Sequence, residues 1–389
     1  MIKTVKRIVG NILNKTPLCP YVQKYRKRDY LYYYKKACER NEIVDKRVLM
    51  LSDSRDTLSG NFEFIDRELK NRGYAVDYFL RSSLDVRKTK EERKELCDKM
   101  SKAQFVVVDD FYPIVYPMRF REGSKLIQVW HAMGAFKTVG FSRMGKPGGP
   151  NPRSLSHRNY DAAICSSEDV RKNYAEAFGI SIDKVYATGV PRTDIFFDEQ
   201  YKINTKEYIY NKYPQLKGKK VIMFAPTFRG NGQKSAHYDF SWIDFEKLKE
   251  KLGPEYCFIL KIHPFVKNIE EMPKEDDFFI NMTEEREIND LLFVTDILIT
   301  DYSSVIFEAS LLDIDTVFFV PDLEEYMASR DFYYPFEDYM FGKEARNTEE
   351  LIDCIKEPAK DEKKIQKFKT KFCGACDGHS TKRVVDMLF

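Results

Sequence analysis

Short apolar runs alternate with longer helix-like stretches along most of the chain, and this alternation constrains the fold more than any other feature. From residue 47, RVLMLS (47–52) reads as a buried strand, and FEFIDRELKNRG as a helix stopped by Gly73. AVDYFL follows as a strand, then the charged helix KTKEERKELCDKMSKA and the strand FVVVDD. SKLIQVW (124–130), YDAAICSS (160–167) and KVYATG extend the series, with the helix EDVRKNYAEAFG before the last. Strands that are apolar throughout, with helices between them, build a parallel sheet covered on both faces.

A second series begins near residue 217. KKVIMFAP (219–226), CFILKIHP (257–264), DILIT (296–300) and TVFFVP (316–321) read as strands, with helices in SWIDFEKLKEKLG, INDLLFVT and SSVIFEASLLD. A chain of 389 residues is too long for one ordinary core. The expected class is therefore α/β, with two Rossmann-like domains facing across a cleft, over 47–200 and 217–389. A linker falls near 195–217, and the helices from about 348 pack back across both domains.

Residues 1–46 stand apart by charge. Residues 1–47 carry a net +9 and the remainder a net −6. In MIKTVKRIVGNILNKT, Ile2, Val5, Val9, Ile12 and Leu13 share one helical face, while the cations fall largely elsewhere. This reads as a basic amphipathic segment lying on an anionic membrane surface; a helix packed on the body is the plainer alternative. No nucleic-acid-binding fold follows the arm, so nucleic acid is not the expected partner. No apolar stretch reaches 18 residues and nothing resembles a signal peptide. The eight cysteines sit mostly in apolar or helical contexts, as reduced core thiols of a cytosolic enzyme do.

Ligands of open α/β sheets bind beyond the carboxyl ends of strands, so the residues there are the candidates. After DILIT come Asp301, Tyr302, Ser303 and Ser304, then a helix; free amides, two hydroxyls and the helix dipole suit an anion. Glu308, about a turn further on, is placed for a ribose hydroxyl. Lys261 and His263 end another strand and share a face by period two. Pro226, Thr227 and Arg229 follow KKVIMFA, with a Gly-rich loop beyond, and the Arg229 fork suits a phosphate. In the first domain His131 lies just past a strand, near neutrality in its ordinary titration, as a general base requires. Lys137 adds a cation. Arg192 and Asp194 in GVPRTD read as a structural ion pair. RMGKPGGPNPRSLSH (143–157), which includes Arg153, reads as a mobile basic loop over an anionic acceptor. Cys373, Cys376 and His379 are a thin zinc signal, and Asp313 and Asp315 are turn residues, so neither metal nor cofactor is expected. No Walker loop, GxGxxG after the first strand or GxSxG is present.

WHAMGAFKTVGF, GVPRTD, FAPTFR, KIHP and ITDYSSVIFEASLLDIDTVFFVPDLEEY, in this order over roughly residues 125–335, resemble the CDP-glycerol glycerophosphotransferase family of teichoic-acid primases and polymerases. The resemblance implies a GT-B fold whose second domain binds the CDP donor. It implies His131 as base, His263 near the diphosphate, and Ser303, Ser304 and Arg229 on donor phosphate, with Thr227, Lys261, Asp301 and Glu308 beside them. Lys137, Arg192 and Arg153 fall on the acceptor side. The reaction implied moves glycerol or ribitol phosphate from CDP-glycerol or CDP-ribitol to a hydroxyl of a lipid-linked acceptor at the cytoplasmic membrane face, releasing CMP. Many members carry Gly where this chain has Ala132, and often Pro where it has Gly134. A GT-B glycosyltransferase using a nucleotide sugar, and a non-catalytic binding subunit, are the competing readings.

Overall fold

A computed structural model describes residues 11–83, 86–230, 235–358 and 360–389. Ile2, Val5 and Val9, expected on one helical face of the arm, and residues 231–234 of the Gly-rich loop lie outside this set. The chain divides into two compact units. The first comprises residues 1–194 with 374–389, the second residues 195–373.

The first unit is built on β1 (Val44–Ser52), β2 (Ala75–Leu80), β3 (Ala103–Val108), β4 (Lys125–Gln128), β5 (Ala162–Ile164) and β6 (Val185–Tyr186). All are parallel, in the order β2-β1-β3-β4-β5-β6. One face presents Val48, Met50, Phe105, Val107 and Ile127 to Phe62, Ile65 and Leu69 of the helix Asn61–Asn71. Val384, Val385 and Leu388 of the last helix, Ser380–Leu388, complete that core. Leu49, Leu51 and Val106 on the other face are also fully buried, which is why these strands are apolar throughout.

The second unit carries β7 (Lys220–Phe224), β8 (Tyr256–Leu260), β9 (Phe279–Asn281), β10 (Ile297–Thr300), β11 (Asp315–Phe319) and β12 (Lys343–Ala345). They too are parallel, in the order β12-β11-β10-β7-β8-β9. Ile222, Phe224, Phe258, Leu260, Ile297, Ile299 and Val317 form the centre of its core.

Three readings of the sequence change. Residues 374–389 belong to the first unit, not to a domain running 217–389. The Asp194 carboxylate accepts the Ser380 and Thr381 amides at 2.9 and 2.8 Å, and so caps the returning helix. The stretch expected as linker holds the helix Glu199–Lys212, capped by Asp198 accepting from the Tyr201 amide at 2.9 Å. Residues 143–157, expected to be mobile, are tied down: Asn151 Nδ2 donates to the Asn14 and Thr16 carbonyls, each at 3.1 Å. Gln23 both donates to Ser154 Oγ at 2.9 Å and accepts from the Leu155 amide at 2.7 Å.

Candidate active site

Each sheet has one place where its strand order reverses, and there the loops leaving neighbouring strands part and open a crevice. In the first sheet it lies between β1 and β3. Arg55, three residues past β1, sets its Nε 2.5 Å from Oδ2 of Asp109, which directly follows β3. Asp109 is almost wholly buried, and burial raises its carboxyl above the ordinary value while Arg55 opposes the rise. Beside them the Lys88 ammonium meets Asp53 at 2.6 Å, both side chains buried.

His131 stands next to this cluster, just past β4. Its Nδ1 lies 3.5 Å from Oδ1 of Asp110, and its side chain is 41% exposed. The turn that delivers it is held from several sides. Trp130 adopts a left-handed φ of 44°, which a bulky residue keeps only when its surroundings impose it. Asn61 Nδ2 donates to the Val129 and Trp130 carbonyls at 3.0 and 2.8 Å, and Gln128 Oε1 accepts the Trp130 amide at 2.8 Å. The Tyr174 hydroxyl donates to Gly134 O at 2.8 Å, and the Gly134 amide to Ser166 Oγ at 2.9 Å. Of the other residues expected here, the Arg192 amide donates to Asn61 Oδ1 at 3.1 Å, Lys137 is half-buried, and Arg153 is exposed on the tied loop.

In the second sheet the reversal lies between β7 and β10, and it gathers Thr227, Arg229, Asp301, Ser303 and Ser304. Asp301, 1% exposed, accepts the Thr227 amide at 2.7 Å and the Tyr302 amide at 2.5 Å, and meets Arg229 Nη1 at 2.9 Å. Arg229 also grips Asp322, through Nε at 2.6 Å and Nη2 at 2.8 Å. The rings of Tyr238, Trp242, Tyr302 and Tyr326 surround its guanidinium at 4.9–5.5 Å. Burial works against this charge, and the two carboxylates more than offset it, raising the pKa further. The fork expected on a phosphate thus holds two loops of its own unit together.

Ser304 precedes the helix Val305–Leu311, but its side chain makes no capping bond; Ser303 Oγ accepts the Val305 amide at 3.4 Å. Both serines are half-buried. Lys261 and His263 do not share a strand face, because β8 ends at Leu260. Lys261 Nζ donates to the Thr283 and Glu285 carbonyls at 2.9 and 2.5 Å, and burial lowers its pKa against the pull of nearby glutamates. His263 is exposed between Phe228 and Phe265, its Nδ1 accepting the Phe265 amide at 3.1 Å. Glu308, expected at a ribose, is 1% exposed. Among the described residues no group of His, Cys, Asp and Glu is placed to hold a metal.

Sequence reasoning passed over Asn61, Arg55, Asp109, Asp110 and Asp322. Asp109 and Asp110 end FVVVDD and were open to the same strand-end argument that found His131. Asn61 acts on a strand exit 68 residues away in sequence, a contact no local signal carries.

The molecule is thus a pair of doubly wound parallel α/β units, each collecting charged and hydroxyl side chains at its switch point, as nucleotide- and phosphate-handling folds do. The chain belongs to the CDP-glycerol:poly(glycerophosphate) glycerophosphotransferase family, whose model matches residues 32–389. It is 49% identical over 349 residues to the teichoic acid poly(ribitol-phosphate) polymerase of Bacillus spizizenii, covering 89% of this chain and 56% of that protein. It is 45% identical to the teichoic acid ribitol-phosphate polymerase TarK of Staphylococcus aureus, covering 88% of this chain and 68% of that one. The chain therefore spans just over half the length of the first of these relatives. In fold it is similar to the wall teichoic acid polymerase TagF, with a TM-score of 0.73 at 21% identity over 96% of this chain and 97% of that chain.

Proposed function

We propose that the chain transfers a polyol phosphate from a CDP-activated donor to a hydroxyl of a lipid-linked teichoic-acid-like acceptor, releasing CMP. The family match across residues 32–389 carries this reading. Both relatives at 45–49% identity bear ribitol-phosphate polymerase names, which favours CDP-ribitol over CDP-glycerol. In the proposed GT-B arrangement the first unit handles the acceptor and the second the donor.

In this mechanism His131 takes the proton of the attacking hydroxyl. The freed oxygen bonds to the β-phosphorus, the bond from that phosphorus to the bridging oxygen breaks, and CMP departs with the electron pair. Such a transition state needs alignment and charge neutralisation more than covalent help. Ser303, Ser304, the amides beside them and the exposed His263 are our candidates for the phosphate oxygens. Arg229 and Asp301 hold the loops that present Thr227 and the serines. Asp110 Oδ1 lies 3.5 Å from His131 Nδ1, a neighbour placed to orient the ring toward the acceptor hydroxyl.

Among the described residues no helix is long and apolar enough to cross a membrane. The exposed Ile12, Leu18, Tyr21, Tyr25 and Tyr32, set among Lys24, Arg26 and Arg28, support peripheral contact with an anionic leaflet.

The test is CMP release from CDP-ribitol, CDP-glycerol and a UDP-sugar, with and without a polyol-phosphate acceptor. Acceptor-dependent release from CDP-ribitol is expected. Turnover of the UDP-sugar alone would replace this reading with a glycosyltransferase.

A further inference from the structure

A cavity of about 1160 Å³ lies within the first unit. One wall is the N-terminal segment, from Asn11 to Gln23; the other is the loop 138–157; Trp130 and Phe111 line it as well. The walls are fixed to each other by the Asn151 and Gln23 hydrogen bonds, so the space belongs to the fold. The loop keeps its path through Gly149, where a Cβ would lie 1.8 Å from the Arg143 carbonyl.

Its chemistry is one-sided. Lys15, Arg143 and Lys146 line it, and among the described residues no Asp or Glu does, in a chain with 61 of them. Asn and Gln amides, Ser and Thr hydroxyls and an indole complete the surface. Cations answer phosphodiesters, amides and hydroxyls answer polyol hydroxyls, and an indole packs the carbon backbone between them. The volume exceeds the roughly 300–1,000 Å³ of a single small-molecule site, so the ligand has room for more than one repeat. Trp130 joins the cavity to the chemistry: its indole lies 4.5 Å, ring to ring, from His131.

We propose that this cavity holds the growing end of the acceptor, a polyol-phosphate chain whose terminal hydroxyl reaches His131 while its preceding phosphodiesters lie against Lys15, Arg143 and Lys146. This rests on the reading of His131 as the acceptor-side base.

The chain has two tryptophans, so Trp242→Phe leaves Trp130 as the sole indole reporter. A lipid-free ribitol-phosphate oligomer should change its emission saturably, and inorganic phosphate should not reproduce the effect. Lys15 and Lys146 are both exposed, so reversing them tests charge without disturbing a core. In the Lys15→Glu, Lys146→Glu double variant, affinity for the oligomer should fall by roughly tenfold or more. In the chain retaining both tryptophans, the same pair should raise the acceptor KM by a similar factor and leave the donor KM unchanged. Saturable binding without a Trp130 response, or an unchanged acceptor KM in an active double variant, would overturn the site. A chain that releases no CMP yet still binds the oligomer at Trp130 would refute the reaction and retain the site.

Discussion

His131 and His157 carry the same imidazole into opposite surroundings. His131 is partly exposed beside Asp110. We expect His131→Ala to lower CMP release on the order of 100-fold or more, with CDP-donor affinity nearly unchanged by calorimetry. Lost donor affinity would move His131 into the donor site. His157 is buried among Trp130, Phe178 and the Tyr116 and Tyr160 hydroxyls, both within 3.2 Å of its Nδ1. Burial lowers its pKa to about 4, weakly opposed by Asp110. Between the ordinary value of about 6.5 and 4, the unfolded chain binds a proton that the folded chain refuses, so stability falls as pH falls. The loss is about 3 kcal/mol, complete near pH 4 and absent above about pH 7. His157→Asn tolerates the φ of 64° found there and removes the titration. Urea unfolding at pH 7 and pH 4.5 should show the wild type losing more stability than this variant.

At the scale of elements, the path of 138–157 depends on close backbone approach. Gly140 has a φ of 51°, and a Cβ there would sit 2.0 Å from the Ala177 carbonyl, at the end of the helix Arg171–Phe178. Gly140→Ala should cost about 3 kcal/mol by denaturant unfolding, since the strained conformation and the clash add. The N-terminal element answers to a different test. Removing residues 1–16 should reduce co-sedimentation with anionic vesicles, as expected of a basic amphipathic segment. Unchanged sedimentation would leave the exposed tyrosines of residues 19–38, or no membrane contact at all.

For the whole molecule, the consequential feature is the return of the last sixteen residues to the first unit. Val384, Val385 and Leu388 fill its core, and Arg72 pairs with Asp386 at 2.5 Å. Deleting residues 380–389 removes several fully buried side chains at about 2–5 kcal/mol each, comparable to the stability of a domain. Calorimetry should show the first unit's transition lost and the second's retained. Equal loss of both would mean that the units unfold together.

The sequence by itself determined the α/β class, because strands buried on both faces must be apolar at every position, as VLML and FVVV are. It located ten of the twelve strands found among the described residues and placed His131, Thr227, Asp301 and the serines at strand exits. The two strands it did not reveal, Phe279–Asn281 and Lys343–Ala345, are three-residue edges, too short to show a period. Only the tertiary structure decided which strands are neighbours, and hence which exits meet at a switch point. It also decided that Arg229 holds Asp301 and Asp322, that Asn61 braces the turn before His131, and that Asp194 caps a helix 186 residues further on. These are contacts between residues distant in sequence. Hydrophobic periodicity records which side of an element faces inward, but carries no address for the side chain it will meet there.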